Sequence, residues 1–162
     1  MSYGLLHFSD PEQALAEAWR VLQPGSRVAF TTWAAPTKAR GYGIAIEAIE
    51  ACAQSPLFEA SSRAFFRFSD HQACRRILSN AGFERPAVTE VHQVWLPGSE
   101  AAAFDYLYDG IIVGRELRAK GDANRERLRE SVMRKLQPFL KDGCLSVPMP
   151  VVLASAEKPP SK

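Results

Sequence analysis

The chain has 162 residues, of which 46% are hydrophobic and 23% are charged, values typical of one folded domain with a real core. Its formal net charge of +2 gives no electrostatic reason to expect a nucleic-acid or acidic-membrane surface. No apolar run is long enough to cross a bilayer, and the first residues lack a signal-peptide pattern, so we predict a cytoplasmic protein without a membrane span.

The three cysteines, Cys52, Cys74 and Cys144, are far apart in the sequence and odd in number. This pattern indicates neither a disulfide framework nor a metal site with the usual ligand spacing. We therefore predict three small buried thiols and no metal.

The stretch from His7 to Trp33 predicts a turn, a helix, a second turn and a strand. Asp10 is a candidate N-cap, with Pro11 at the first helical position and Gln13 three residues after the cap. The apolar residues at helical spacing that follow are Leu15, Ala18, Trp19 and Leu22. Pro24-Gly25 ends this helix. Residues 27–33 are largely apolar without clean alternation, which predicts a strand covered on both faces.

Residues 10–33, DPEQALAEAWRVLQPGSRVAFTTW, resemble the segment between the fourth and fifth strands of class I S-adenosylmethionine-dependent methyltransferases. In that family, Asp-Pro opens a helix that ends in Glu-x-x-Arg-Val-Leu-x-Pro-Gly-Gly, and a hydrophobic strand follows. The matching positions are Asp10, Pro11, Glu17, Arg20, Val21, Leu22, Pro24 and Gly25, with Ser26 in place of the second glycine. Residues 3–8, YGLLHF, resemble the segment after the fourth strand in the ubiquinone-biosynthesis-like, type 11 subgroup.

The next part of the chain predicts a loop at 34–40, a helix at 41–53 and an irregular segment at 57–68. Gly41-Tyr42-Gly43 lacks the spacing and the preceding strand of a phosphate-binding loop. The irregular segment carries a cluster of phenylalanines, Phe58, Phe65, Phe66 and Phe68. This cluster favours packing beneath a loop, with a substrate pocket as the alternative.

A second helix is predicted from a cap at Ser69 or Asp70 to about Ala81. Ala81-Gly82-Phe83 resembles the tripeptide that leads into the sixth strand of the same family. Residues 87–96 predict a strand, and its polar Glu90, His92 and Gln93 favour an edge position.

Residues 99–118 and 122–141 predict two helices joined at Lys120-Gly121, the second capped by Asp122. Its arginines are interleaved with acidic residues, which favours a solvated face over a nucleic-acid surface, so we predict no nucleic-acid partner. Residues 150–156 then predict a buried strand that resembles the last strand of the family, and 158–162 predict a disordered tail.

Together these matches imply an α/β fold: the C-terminal part of a doubly wound Rossmann-like methyltransferase sheet, with strands in the order 5-7-6 and the last strand antiparallel. We expect one partial domain over 1–157 with a helical insertion at about 99–141. The family's glycine-rich turn and ribose-binding carboxylate have no counterpart here. Roughly 100 residues are therefore expected to be absent, at about 30 residues per βαβ unit, leaving strand 27–33 with an exposed edge for a homodimer or a partner chain.

The resemblance implies an S-adenosylmethionine-dependent methyltransferase that acts on a small-molecule acceptor and is inactive without its cofactor-binding half. The alternative is a non-catalytic dimerisation or partner-binding remnant. The positions that match the cofactor-lining segment are Ser2, Tyr3, Gly4 and Leu5. The candidate acceptor-pocket residues are His7, Trp33, Tyr42 and Tyr106, each with a packing role as the alternative. No catalytic residue is predicted, because methyl transfer needs alignment of donor and acceptor more than a general base.

Overall fold

The computed structural model describes residues 1–53, 64–109 and 125–161. The chain forms two compact units from discontinuous segments. Unit one comprises Met1–Ala35, Ser61–His92 and Pro150–Lys162, and unit two comprises Pro36–Ala60 and Gln93–Met149. The sequence predicted a single partial domain with an insertion at 99–141, whereas unit two also takes in residues 36–60.

The described elements follow in chain order. The helices are α1 (Pro11–Val21), α2 (Arg40–Ala53), α3 (His71–Asn80), α4 (Glu100–Asp109) and α5 (Arg125–Leu136). The strands are β1 (Arg27–Trp33), β2 (Glu84–Val91), β3 (Val94–Trp95), β4 (Leu140–Lys141), β5 (Cys144–Leu145), β6 (Val147–Pro148) and β7 (Val151–Glu157). Short 3-10 turns cover Leu5–His7, Arg67–Ser69 and Gln137–Phe139.

Unit one contains a three-stranded sheet in the order β1-β7-β2. Both outer strands are antiparallel to β7, with Phe30 and Val88 each paired with Ala154. The prediction that the last strand lies antiparallel between the other two is confirmed. The two outer strands are consequently parallel to each other.

The core of unit one lies on a single face of this sheet. Val28, Phe30 and Thr32 on one face are buried, while Arg27 and Ala29 on the other face are exposed. The prediction that this strand is covered on both faces is therefore wrong. The physical reason is that α1 and α3 supply their buried side chains, such as Leu15 and Leu78, to the same cluster as Phe30.

The predicted helix starts of unit one are confirmed. The Asp10 carboxylate accepts a hydrogen bond from the Gln13 backbone amide at 2.8 Å, and the Asp70 carboxylate accepts one from the Gln72 backbone amide, also at 2.8 Å. Each bond satisfies a backbone donor that the first turn of a helix leaves unpaired. These caps fix where α1 and α3 begin.

The strand observed in place of the one predicted at 87–96 is β2, and it begins and ends at different residues. It begins at Glu84, where Arg85 has φ of 51° and the register with β7 shifts before Ala87, which is the geometry of a bulge. It ends at Val91 and is an edge strand, as predicted. The rest of the predicted strand belongs to unit two. There the Gln93 carbonyl accepts a hydrogen bond from the Met149 amide at 2.9 Å, and β3 pairs with β6.

Unit two packs α2, α4 and α5 together through apolar side chains. The buried residues on these helices include Ile44, Ala48, Phe104, Leu128 and Val132.

The helix predicted at 122–141 ends at Leu136, so that prediction is wrong for residues 137–141. Pro138 lies in the following 3-10 turn, and Asp142 and Gly143 adopt positive φ of 49° and 76°. That pair turns β4 back into β5 as a hairpin. The predicted junction at Lys120-Gly121, the Asp122 cap and Phe58 lie outside the described residues.

The prediction of three buried thiols holds for Cys74 and is wrong for Cys144, which is exposed in the β4–β5 hairpin. The side chain of Cys52 lies outside the described part. Within the described ranges, no helix is long and apolar enough to cross a membrane.

Candidate functional site

The first residues of the chain run beside β1. Ser2 forms a parallel bridge with Thr31. The Thr31 amide donates to the Met1 carbonyl at 3.0 Å, and the Tyr3 amide donates to the Thr31 carbonyl at 3.1 Å. The Met1 ammonium donates to the Ala29 carbonyl at 2.7 Å. Three of the four positions predicted to line the cofactor, Ser2, Tyr3 and Gly4, thus lie at or next to the edge of β1.

Tyr3 and Trp33 form the aromatic pair of this site. Their ring centroids are 4.3 Å apart with an interplanar angle of 29°, and both residues are half-buried. Tyr3 has φ of 52°, a backbone conformation that bulky L residues rarely adopt. Trp33 ends β1, so the pair lies at the carboxyl end of that strand, where open α/β sheets bind their ligands.

The remaining unit-one candidates are divided between core and surface. Leu5 is fully buried and packs in the core of unit one, so its side chain faces that core. His7 is exposed and meets the Phe65 ring edge-on at 6.2 Å. Phe65 and His7 therefore form a second aromatic contact in the same unit.

The other two acceptor-pocket candidates belong to unit two. Tyr42 is buried on α2, whereas Tyr106 on α4 is 47% exposed and its ring lies 5.0 Å from that of Trp95. A shared pocket for these tyrosines with His7 and Trp33 stays a prediction.

One residue of the unit-one site was missed by sequence reasoning: Thr31 holds the first residues through both its backbone and its hydroxyl group. In unit two, Trp95, which contacts Tyr106, was likewise not predicted. The signal available for Thr31 was its position two residues before Trp33 in a strand, which places both side chains on one face. Nothing in the sequence indicated that the segment 1–3 would lie against it.

The chemistry available at Tyr3 and Trp33 is that of ring faces, hydroxyl groups and backbone groups, which bind and align a ligand.

Burial raises the pKa of the Cys74 thiol to about 12, and the thiol contacts the Phe68 carbonyl at 3.1 Å. Cys74 is therefore a packing residue rather than a nucleophile. Among the residues that the structure describes, no group of three or more His, Cys, Asp or Glu side chains could hold a metal ion.

Comparison with known proteins gives a fold but not a family. No protein-family model matches the sequence, and no curated protein matches it. Among solved structures, the chain is similar to a crystal structure described as a "putative methyltransferase" from Bacillus halodurans C-125, with a TM-score of 0.50 and 19% sequence identity. The match covers 98% of this chain and 62% of that protein, so this chain spans less than two thirds of its neighbour's length. This likeness shows a mixed α/β, methyltransferase-like fold.

Proposed function

We propose that this chain is the C-terminal part of an S-adenosylmethionine-dependent methyltransferase domain of the ubiquinone-biosynthesis-like, type 11 subgroup, acting on a small-molecule acceptor in the cytoplasm. The observation that carries the proposal is the sheet of unit one. Its last strand lies reversed between β1 and β2. Residues at the start of the chain run parallel to β1 on its other side, the side on which the family's fourth strand pairs.

The proposal includes the expectation that cofactor binding needs a further segment. The sequence contains no Gly-x-Gly-x-Gly turn, the element that lets a backbone approach the cofactor closely in dinucleotide-type folds. The structural neighbour extends well beyond the matched region. A segment equivalent to that additional length would complete the doubly wound sheet and hold S-adenosylmethionine, so that these 162 residues alone are inactive.

In this proposal, Ser2, Tyr3 and Gly4, together with Trp33, line the methionine end of the cofactor, and Leu5 anchors the segment in the core of unit one. Their role is to bind and align, because bringing the methyl group and the acceptor into line supplies most of what methyl transfer requires. The proposal assigns no general base.

Isothermal titration calorimetry with S-adenosylmethionine tests this function. We expect no binding by the chain alone, and binding at micromolar strength once the chain is joined to the part of the Bacillus halodurans neighbour that lies outside the matched region, with circular dichroism to verify folding. A Trp33→Ala variant of the joined protein should bind more weakly. Micromolar binding by the chain alone would show that the cofactor site is built differently, and a folded joined protein that does not bind would contradict the proposal.

A non-catalytic role in dimerisation or partner binding is the second candidate, and the free part of the β1 edge favours it. Ala29 is exposed and lies two residues before Thr31, so strand alternation places its amide on the same edge as the Thr31 amide, where its carbonyl accepts from the Met1 ammonium. A strand edge with unpaired backbone groups can pair with another chain.

Sedimentation velocity discriminates this second candidate. If the chain dimerises through this edge, the Ala29→Val variant should still form the dimer because it keeps the backbone amide of residue 29. The Ala29→Pro variant should be monomeric because proline has no backbone N–H to donate. A monomer at all concentrations would exclude self-association through this edge.

A further inference from the structure

Thr31 is the residue that holds the first residues of the chain in place. Its backbone amide and carbonyl contact Met1 and Tyr3 at 3.0 and 3.1 Å. Its hydroxyl oxygen also accepts the Tyr3 amide at 3.2 Å and lies 3.3 Å from the Ser2 hydroxyl oxygen. Four contacts from one residue therefore fix three consecutive positions.

This set of contacts matters because the conformation of Tyr3 is unfavourable by itself. With φ of 52°, Tyr3 lies in the left-handed region, where a side chain with a Cβ atom is strained. Such conformations persist where surrounding contacts enforce them, and they cluster at functional sites. Here the Tyr3 amide is shared between two oxygen atoms of Thr31, so the strained residue is held at its backbone.

The same residue also sets the aromatic pair. Thr31 and Trp33 are two positions apart in β1, so their side chains lie on the same face of the sheet. This face is opposite to the buried Phe30 and Thr32. Because Thr31 holds the Tyr3 backbone beside β1, the Tyr3 ring stacks on the Trp33 ring, and the two ring centroids are 4.3 Å apart.

We infer that Thr31 is a positioning residue, whose hydroxyl group holds Ser2–Leu5 in the conformation that presents the Tyr3–Trp33 pair at the carboxyl end of β1. The inference rests on the proposed function for the identity of the ligand, S-adenosylmethionine. The order of the segment itself can be measured without any ligand.

Nuclear magnetic resonance on the full chain tests the inference through three variants. Thr31→Val removes the hydroxyl group and keeps the shape, Thr31→Ser keeps the hydroxyl group, and Thr89→Val is the matched control. Thr89 is exposed and pairs with Leu153 from β2, as Thr31 pairs with Leu153 from β1, so both valines are introduced into the same row of the sheet.

We expect Thr31→Val to speed hydrogen exchange of the Tyr3 amide about fivefold, the effect of one hydrogen bond, and to shift the Trp33 indole signal as the Tyr3 ring leaves it. Thr31→Ser should restore both observables, and Thr89→Val should change neither. Unchanged Tyr3 exchange in Thr31→Val would overturn the inference. An equal change in Thr89→Val would overturn it as well, because the effect would then be a general loss of stability.

Titration with S-adenosylmethionine separates this inference from the proposed function. A shift of the Trp33 indole signal in the joined protein that weakens in its Thr31→Val variant would support both, because the ligand would then bind at the positioned pair. If the exchange results hold and the wild-type indole signal is unaffected in both the chain and the joined protein, the proposed cofactor placement fails while the positioning role of Thr31 stands.

Discussion

Glu157 shows how one residue can join all three strands of a sheet. Its carboxylate accepts a hydrogen bond from the Arg27 guanidinium on β1 and lies 3.1 Å from the Arg85 guanidinium on β2. The hydrogen bond from Arg27, assisted by the charge of Arg85, holds the pKa of the Glu157 carboxyl below its ordinary value of 4.5. The charged form is thus favoured in the folded state.

We therefore predict that Glu157 contributes to stability above pH 4.5 and that this contribution is lost as the pH falls through its lowered folded-state pKa. The sign follows from linkage, because a carboxyl that binds its proton less tightly when folded stabilises the fold while it is ionised. Urea unfolding of the wild type and of Glu157→Gln across this pH range measures the effect. The difference between the two proteins should be largest at neutral pH and shrink in acid.

Glu84→Gln is the control for this pH profile. Glu84 lies opposite Glu157 in the register of the sheet and is exposed. Its replacement should leave the acid dependence of stability close to that of the wild type. A profile for Glu157→Gln that runs parallel to the wild type would show that the bridging ion pairs contribute nothing measurable.

At the scale of the elements, helix α1 is completed by a residue from the far end of the chain. The Lys158 ammonium donates to the Trp19 carbonyl at 2.6 Å and to the Leu22 carbonyl at 2.8 Å, and lies 4.2 Å from the centre of the Trp19 ring. The Lys158 backbone also bonds to Gly25 and Ser26 in the turn after the helix. A cation at a helix C-terminus satisfies free carbonyl groups and the negative end of the helix dipole.

Replacing this lysine should destabilise unit one. We predict that Lys158→Met lowers the free energy of unfolding by about 1–2 kcal/mol, since it removes two charge-assisted hydrogen bonds at a helix end. Chemical denaturation measures the loss, and hydrogen exchange should place it in the last turn of α1. Lys141→Met, at an exposed site in the β4–β5 hairpin, should stay within experimental error of the wild type.

At the scale of the whole molecule, unit two interrupts unit one at two points in the sequence. The larger interruption runs from Gln93 to Met149. The strand ends on either side of it, Val91 and Val151, are paired partners in the unit-one sheet. The buried core cluster that contains Phe30 is built only from unit-one residues. Unit one thus has its own core, and the strands that flank residues 93–149, β2 and β7, pair directly with each other.

We predict that a shortened chain, in which residues 92–150 are replaced by a two-residue Asn-Gly turn, still folds unit one. The paired ends of β2 and β7 are close enough to be joined as a hairpin, and Asn-Gly suits the turn that such hairpins require. The amide signals of unit one in the shortened chain should overlay on those of the full chain. Collapse of the signals of β1 and β7 would show that unit one needs residues 92–150 to fold.

The sequence by itself determined the features that depend on near neighbours. The caps at Asp10 and Asp70, the end of α3 near Gly82 and the strands β1 and β7 all follow from residues close to one another in the sequence. Their hydrogen bonds and apolar spacings are local, so they can be recognised without knowing the fold. The family resemblance added the order of the three strands, which local patterns alone do not contain.

The tertiary structure alone decided which surfaces are covered and which distant residues meet. Tyr3 and Thr31 are 28 positions apart, and Lys158 is 139 positions from Trp19. Neither contact leaves a periodic or short-range signal in the sequence. The one-sided burial of β1 has the same origin, because an apolar strand looks alike in sequence whether one or both of its faces are packed, and only the positions of α1 and α3 distinguish the two.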